Sequence, residues 1–220
     1  MKYIKLPSRR TQGFTLVEMV GVLAVIAILT AMLIPKVFET INTARINAAA
    51  AAITTVKNAV AAHYAKYGGF ANAAGALLTP ASVAADTDAA NFDEDVLLND
   101  SMLEKAFAVK IGDQVAATNK IVVVQVEAAA AAADITEDSA NYDLDGTGTI
   151  ETNDGALLCE AIITGVSAAD AYALKVLIDG ADLIAAEAIA VGDAATAGRV
   201  KYPAIAAGAT GEVHVYVNHM

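Results

Sequence analysis

The chain has 220 residues, 56% of them hydrophobic, and a net charge of −11. Acid in such excess repels phosphate backbones, which excludes nucleic-acid binding by bulk electrostatics and makes cations the natural partners. Cysteine occurs once, at Cys159, so no intrachain disulfide forms even in an oxidising compartment.

Met1 to Gly13 carries Lys2, Lys5, Arg9 and Arg10 and no acid, and the apolar run from Phe14 to Ile34 follows directly. That run has the roughly 20 residues a bilayer-spanning helix needs, and the basic flank keeps the amino-terminal end in the cytoplasm. Its one ionisable residue is Glu18. An ionised carboxylate at mid-bilayer costs on the order of 3 kcal/mol, so Glu18 calls for headgroups or a partner charge. A secretory signal peptide places its small-residue cleavage site after the apolar run, whereas here the small residue, Gly13, comes before it. Cleavage at Gly13 removes the basic leader and leaves the apolar helix on the mature protein.

The basic leader, Gly13, Phe14, Thr15, Leu16, Glu18 and Pro35 together resemble the signal of type IV prepilins and of the related pseudopilins of type II secretion. The resemblance implies that a prepilin peptidase cuts between Gly13 and Phe14 and methylates the new amino terminus of Phe14. It implies that Glu18 meets the amino terminus of a neighbouring subunit, which supplies the missing partner charge. Pro35 stands where the family places a proline, and the resemblance implies filaments that tolerate partial melting of the stem upstream of it. With the leader gone, ten Lys plus Arg remain against 25 Asp plus Glu, a net charge of −15. Many type IV pilins staple the C-terminal part of the head with a disulfide, and the lone Cys159 departs from that pattern toward the pseudopilins.

From Lys36 to Tyr67, Ile46, Ile53, Val56, Val60, Tyr64 and Tyr67 recur at separations of three, four or seven, which predicts a helix with one apolar stripe. Gly68 and Gly69 are its stop. Residues 14–67 form one stem of roughly 80 Å at 1.5 Å per residue, with 14–34 transmembrane and Pro35 a kink or loosening point. The Ala48–Ala52 tract either lets helices approach closely or is compositional drift, and the sequence leaves both open.

Residues 68–220 form the head, about 150 residues and enough for one modest core. Phe70 to Asn91 reads as loop with a short helix, and Asp93 to Phe107 as a helix with its acids at the positive end of the dipole. Ile121 to Val126 is a strand candidate. Glu212 to Asn218 alternates valines with His214, Tyr216 and Asn218, the period of a half-buried strand, and Val200 to Tyr202 pairs with it. Ser167 and Asp170 cap a helix reaching Ile178, with Gly180 as its stop. Ala128–Ala133 and Asp182–Val191 stay ambiguous between helix and loop. The expected class is α+β: a long N-terminal helical stem packed against a small head with an antiparallel sheet, short helices and a calcium loop.

That loop is residues 143–154. Calcium takes six to eight hard oxygens, and short acids alternating along a tight turn supply them. Placed on the EF-hand scheme, Asp143, Asp145, Thr147, the Thr149 carbonyl, Glu151 and Asp154 are the metal ligands, with Gly148 at the turn and Ile150 anchoring the loop. Thr147 stands where Asp or Asn is usual, and Asp154 where a bidentate Glu is usual. The pattern resembles a dockerin-type calcium loop, which implies a helix over Asp154 to Ile163. Major pseudopilins also need calcium in the head, in a different kind of loop. A weaker echo at Val166–Asp170 lacks the first ligands and predicts no second metal.

Catalysis finds no support. His63 reads as a partly exposed helix residue, His214 and His219 lack zinc-site company, and Cys159 reads as a small buried side chain. No nucleophile elbow or phosphate-binding glycine loop is present. The leading expectation is a non-enzymatic structural subunit of a type IV pilus or type II secretion pseudopilus, its head stabilised by calcium. Its partners are copies of itself, a prepilin peptidase and the pilus or secretion assembly machinery. Its location is the bacterial inner membrane as precursor and then a periplasmic or extracellular filament. The alternative is a membrane-anchored, calcium-dependent interaction or adhesion module built on Asp143 to Ile178.

Overall fold

A computed structural model describes residues 13–112, 119–126, 141–147 and 155–219. Contacts divide the chain into two compact units, Met1–Asn42 and Thr43–Met220. The first helix, α1 (Leu16–Tyr67, 52 residues), runs through the boundary between them and includes Pro35 without a break in its helical assignment. It ends where expected, as Gly68 adopts φ +77°, the left-handed conformation that glycine tolerates without penalty.

In the first unit every described residue, 13–42, is exposed, and the exposure continues through Arg45 in the second. The helix is long and apolar enough to cross a membrane, by length and composition.

In the second unit, α1 lays Ile46, Ala49, Ile53, Val56, Ala59 and Val60 into the core. Two short helices, α2 (Pro80–Val83) and α3 (Thr87–Ala90), are followed by a single π-helical turn over Asp93–Leu97. Strand β1 (Lys120–Gln125) pairs antiparallel with β2 (Leu157–Ser167), β2 with β4 (Thr210–His219), and β4 with β3 (Val200–Lys201). The sheet order is β1-β2-β4-β3. Between β2 and β3 lie α4 (Ala168–Asp179) and α5 (Ala181–Glu187). The class is α+β, as the sequence implies.

Strand alternation divides the sheet's two faces. Ile121, Val123, Leu157, Cys159, Ala161, Ile163, Val213, Val215 and Val217 join the α1 stripe in the main core. On the other face Leu158 packs with Val126 and Tyr142 in a smaller cluster. The Val200–Lys201 pairing and the Ser167 cap form as read, the Ser167 hydroxyl accepting from Asp170 N.

Three expectations need correction. Residues 157–167 form a central strand, not the expected helix over Asp154 to Ile163. Residues 157–161 are buried on both faces, so β2 lacks the apolar–polar alternation that marks a half-buried strand, and its mostly apolar start is not distinguished from a buried helix by periodicity. The helix over Asp93 to Phe107 is one π turn, because Asp93 is a buried acceptor rather than a dipole partner. Its carboxylate takes Phe107 N at 2.8 Å and Ile121 N at 3.0 Å, which folds the following segment back and ties it to β1. The α1 stripe, finally, runs through His63, fully buried, while Tyr64 is 39% exposed.

On the far side of α4 a buried ionic clasp holds residues 196–200. Lys175 Nζ, fully buried, lies 3.3 Å from Asp179 and 3.2 Å from Glu187, and it donates to the carbonyls of Ala197 and Val200. The carboxylates in turn accept from four backbone amides: Asp179 from Arg199 and Val200, Glu187 from Thr196 and Ala197. Each buried charge is thereby paired and hydrogen-bonded, the condition under which such groups persist in a core.

Candidate functional site

The amino-terminal end of α1 is built by a Thr-x-x-Glu pair. Thr15 N and Oγ1 each donate to Glu18 Oε2 at 2.8 Å, and Glu18 N donates to Thr15 Oγ1 at 3.2 Å. This reciprocal arrangement is a capping box, which satisfies amides that a helix start leaves open. The sequence carries the signal for it in Thr15 and Glu18, although the partner-charge argument alone does not find it. Beside Glu18, Phe14, Met19, Val22, Val25 and Ile26 line an apolar groove. Phe14, 80% exposed, precedes the first helical turn, so the Gly13–Phe14 bond lies outside helical structure.

Asp143, Asp145 and Thr147 open the acid-rich loop; Thr149, Glu151 and Asp154, with Gly148 and Ile150, lie outside the described residues, as does Ala128–Ala133. Asp143 is 3% exposed, and its Oδ1 accepts from Gly146 N at 2.7 Å and Thr147 N at 3.1 Å. Asp145 Oδ1 accepts from the same Thr147 amide at 3.0 Å, so both carboxylates converge on one turn. Gly146 has φ +77°, the left-handed conformation that favours glycine, and a Cβ there would meet Leu183 Cδ1 at 2.3 Å unless that side chain moved. Among the described residues no three His, Cys, Asp or Glu side chains form a metal-binding group. The chain leaves the loop into β2 rather than a helix, so the helix that a dockerin-type loop would feed is missing.

The loop's start is held from three sides. Lys201 Nζ donates to Asn141 O at 3.0 Å and sits 4.1 Å from the Tyr142 ring centre. Tyr142 Oη donates to Glu160 at 2.8 Å, and Gly198 N donates to Asp143 O at 2.6 Å. Glu160 also faces His214, Nδ1 to Oε1 at 3.3 Å, and Glu212 lies 3.4 Å from Nε2. Burial opposes charge on His214, but the Glu160 hydrogen bond and charge, with Glu212, outweigh it and hold the imidazolium above its ordinary pKa despite Lys201. Sequence reading missed this network because its members lie far apart in the chain.

His63 corrects the expectation of a partly exposed residue. It accepts from Ala71 N through Nε2 and faces Asp100 Oδ2 at 3.3 Å through Nδ1. Burial lowers its pKa, and Asp100 offsets this only in part. Neutral, with its proton on Nδ1, it latches α1 to the segment after the π turn, where Lys66 and Tyr67 also donate to Asp100. Cys159 is fully buried, and burial, with Glu160 and Asp93, pushes its thiol well up, so it stays a protonated core side chain.

Residues 8–34 match the family model of the prokaryotic N-terminal methylation motif. No curated protein and no solved structure is significantly similar to the chain. A methylation motif that overlaps the start of a helix long and apolar enough to cross a membrane supports a prepilin-type amino-terminal segment. The motif supports a type IV pilin-like or pseudopilin structural subunit. It implies processing by a prepilin peptidase and assembly into pilus-type filaments, and it fits insertion into the inner membrane beforehand.

Proposed function

We propose that this chain is a building block of a type IV pilus or a type II secretion pseudopilus, cut between Gly13 and Phe14, methylated on Phe14 and polymerised through α1. The observation that carries the reading is the uncovered run from Phe14 to Ile34, apolar on all sides, next to the methylation motif. A helix apolar all round needs an apolar medium on every face, first the bilayer and then a bundle of neighbouring stems. Thr15 holds Glu18 until a neighbour's freed terminal amine takes its charge, and that contact sets the register between subunits.

Co-expression with a prepilin peptidase and an assembly ATPase tests this. The mature mass should begin at methylated Phe14, and filaments should be visible by electron microscopy. Glu18→Ala should keep membrane insertion and reduce filament yield at least tenfold. An uncut chain, or a mature protein that stays monomeric, would defeat the reading.

Calcium binding by the 143–154 loop belongs to the same proposal. Asp143 and Asp145 on one turn, with the loop's start fastened to the sheet, support it. When bound, the ion would hold the loop as a disulfide holds the heads of many pilins. Calcium at 100 times its dissociation constant stabilises the fold by about 2.7 kcal/mol. Chelation should therefore lower the melting temperature by several degrees, and Asp145→Asn should remove that sensitivity. An unchanged melt would refute the calcium role and leave the filament role standing.

A further inference from the structure

Residues 68–220 hold 23 Asp plus Glu against six Lys plus Arg, a net charge of −17. Two of the six, Lys175 and Lys201, are buried and turned toward internal acceptors. Heads of this kind set side by side place like charges within a few Debye lengths of each other, about 8 Å at physiological ionic strength. Contact between them is opposed unless the sign reverses somewhere on the touching surfaces.

One surface of the Thr43–Met220 unit has that reversed sign. Lys57 on α1 and Arg199 just before β3 line one pocket of about 240 Å³, with Thr54, Ile178 and Tyr216. Both cations are exposed, and among the described residues neither has a carboxylate within salt-bridge distance. The anchorage beneath them is rigid. Lys57 stands on a helix whose Ile53, Val56 and Val60 are buried, and Arg199 is fixed through its backbone. Its amide donates to Asp179 at 2.8 Å, and its carbonyl accepts from Tyr216 N at 2.8 Å. The Lys175 clasp, which grips residues 196–200, thus presents the guanidinium at the pocket. Backbone held this way needs no ordering on pairing, which leaves only the side-chain freedom of the two cations for their attraction to offset.

We propose that the Lys57–Arg199 pocket is an inter-subunit dock that receives carboxylate side chains from the head of a second copy of this chain. The inference rests on the filament reading and supplies the charge complementarity that an acidic head requires. A small pocket with two cations and an apolar wall suits one or two carboxylates, and the chain itself offers them in abundance.

Filaments assembled from a mixture of unlabelled and 15N-labelled chains, treated with a zero-length carbodiimide, test it. The reagent joins a lysine amine to a carboxylate already in contact, with loss of water. Mass spectrometry should find Lys57 linked to an Asp or Glu of residues 68–220 in pairs of mixed label. Lys57→Glu with Arg199→Glu should cut filament yield at least tenfold without moving the melting temperature of the full chain in detergent. Lys57→Arg with Arg199→Lys should restore it. Wild-type filaments that show no mixed-label Lys57 link, or a charge-reversed chain that assembles normally, overturn the dock alone. Absence of any wild-type filament overturns the filament reading as well. Should charge reversal also lower the melting temperature, the cross-link on wild-type filaments decides.

Discussion

The two halves of α1 share one helical backbone and differ in what their side chains face. From Gly13 to Arg45 every side chain is exposed, whereas Ile46, Ala49, Ile53, Val56, Ala59, Val60 and His63 are buried. The difference follows from pattern rather than hydrophobicity. Through Ile34 the helix is apolar around its circumference and is satisfied only by a surrounding apolar medium. Beyond it a single stripe remains, and a sheet on one side suffices. A buried charge in either half should therefore fail in a different place. Val60→Asp puts a carboxylate at a fully buried position with no partner, a loss of about 4 kcal/mol or more. The head should not fold cooperatively, as circular-dichroism melts would show. Val25→Asp should leave that melt unchanged and instead weaken membrane insertion by about 3 kcal/mol, read by flotation with liposomes. Equal damage to the head from both would erase the distinction.

Sequence reading works best where one local rule governs. The Phe14–Ile34 run, the stop at Gly68, β1, the alternating valines of β4 and the Ser167 cap each depend on residues a few positions apart. Failures fall where distant groups meet. Asp93 reads as a helix-start acid because nothing nearby reveals that Phe107 and Ile121 donate to it. His63 reads as a surface residue because its acceptor role depends on the turn that brings Ala71 N back to it. Asp154 to Ile163 reads as a helix because the strand that begins at Leu157 is buried on both faces at its start and lacks the alternation that would identify it. At the candidate sites the cleavage signal and Glu18 are legible in a contiguous motif. The Lys57–Arg199 pocket is not, since its two cations are 142 positions apart in the chain.

A second test asks how far the head depends on the α1 stripe and how far on its own polar fastening. Lys175→Met keeps the volume and removes the charge that faces Asp179 and Glu187. Removing one partner of a buried ion pair typically costs about 3–5 kcal/mol. Urea unfolding should show that loss, and hydrogen exchange should quicken first at residues 196–200. Replacing all three ionic residues by apolar ones often rescues a buried pair, but rescue is not expected here. Asp179 and Glu187 also accept from four backbone amides, which an apolar side chain would leave without partners. Full recovery in the triple variant would show that the clasp is ordinary packing.

The smallest expected effect separates the α1 latch from the outer face of the sheet through their histidines. His214 has a raised pKa in the fold, so it adds stability that is complete below the unfolded value near about 6.5 and is lost as pH rises through the folded value. His63 has a lowered pKa, so the unfolded chain takes up its proton first, and stability falls as pH drops below that same unfolded value. The groups facing them account for the opposite signs. His214 lies between Glu160 and Glu212, with Lys201 as the opposing cation, whereas His63 is buried against Phe92 and Tyr67, with Asp100 already shared by Lys66 and Tyr67. His214→Gln should therefore lower the melting temperature more at pH 5.5 than at pH 8.5, at fixed calcium. His63→Gln should show the reverse, its deficit shrinking in acid because wild type loses its own advantage there. Each difference should be smaller than the losses from Val60→Asp and Lys175→Met. Deficits that do not change with pH for either variant would mean that both rings serve only as packing.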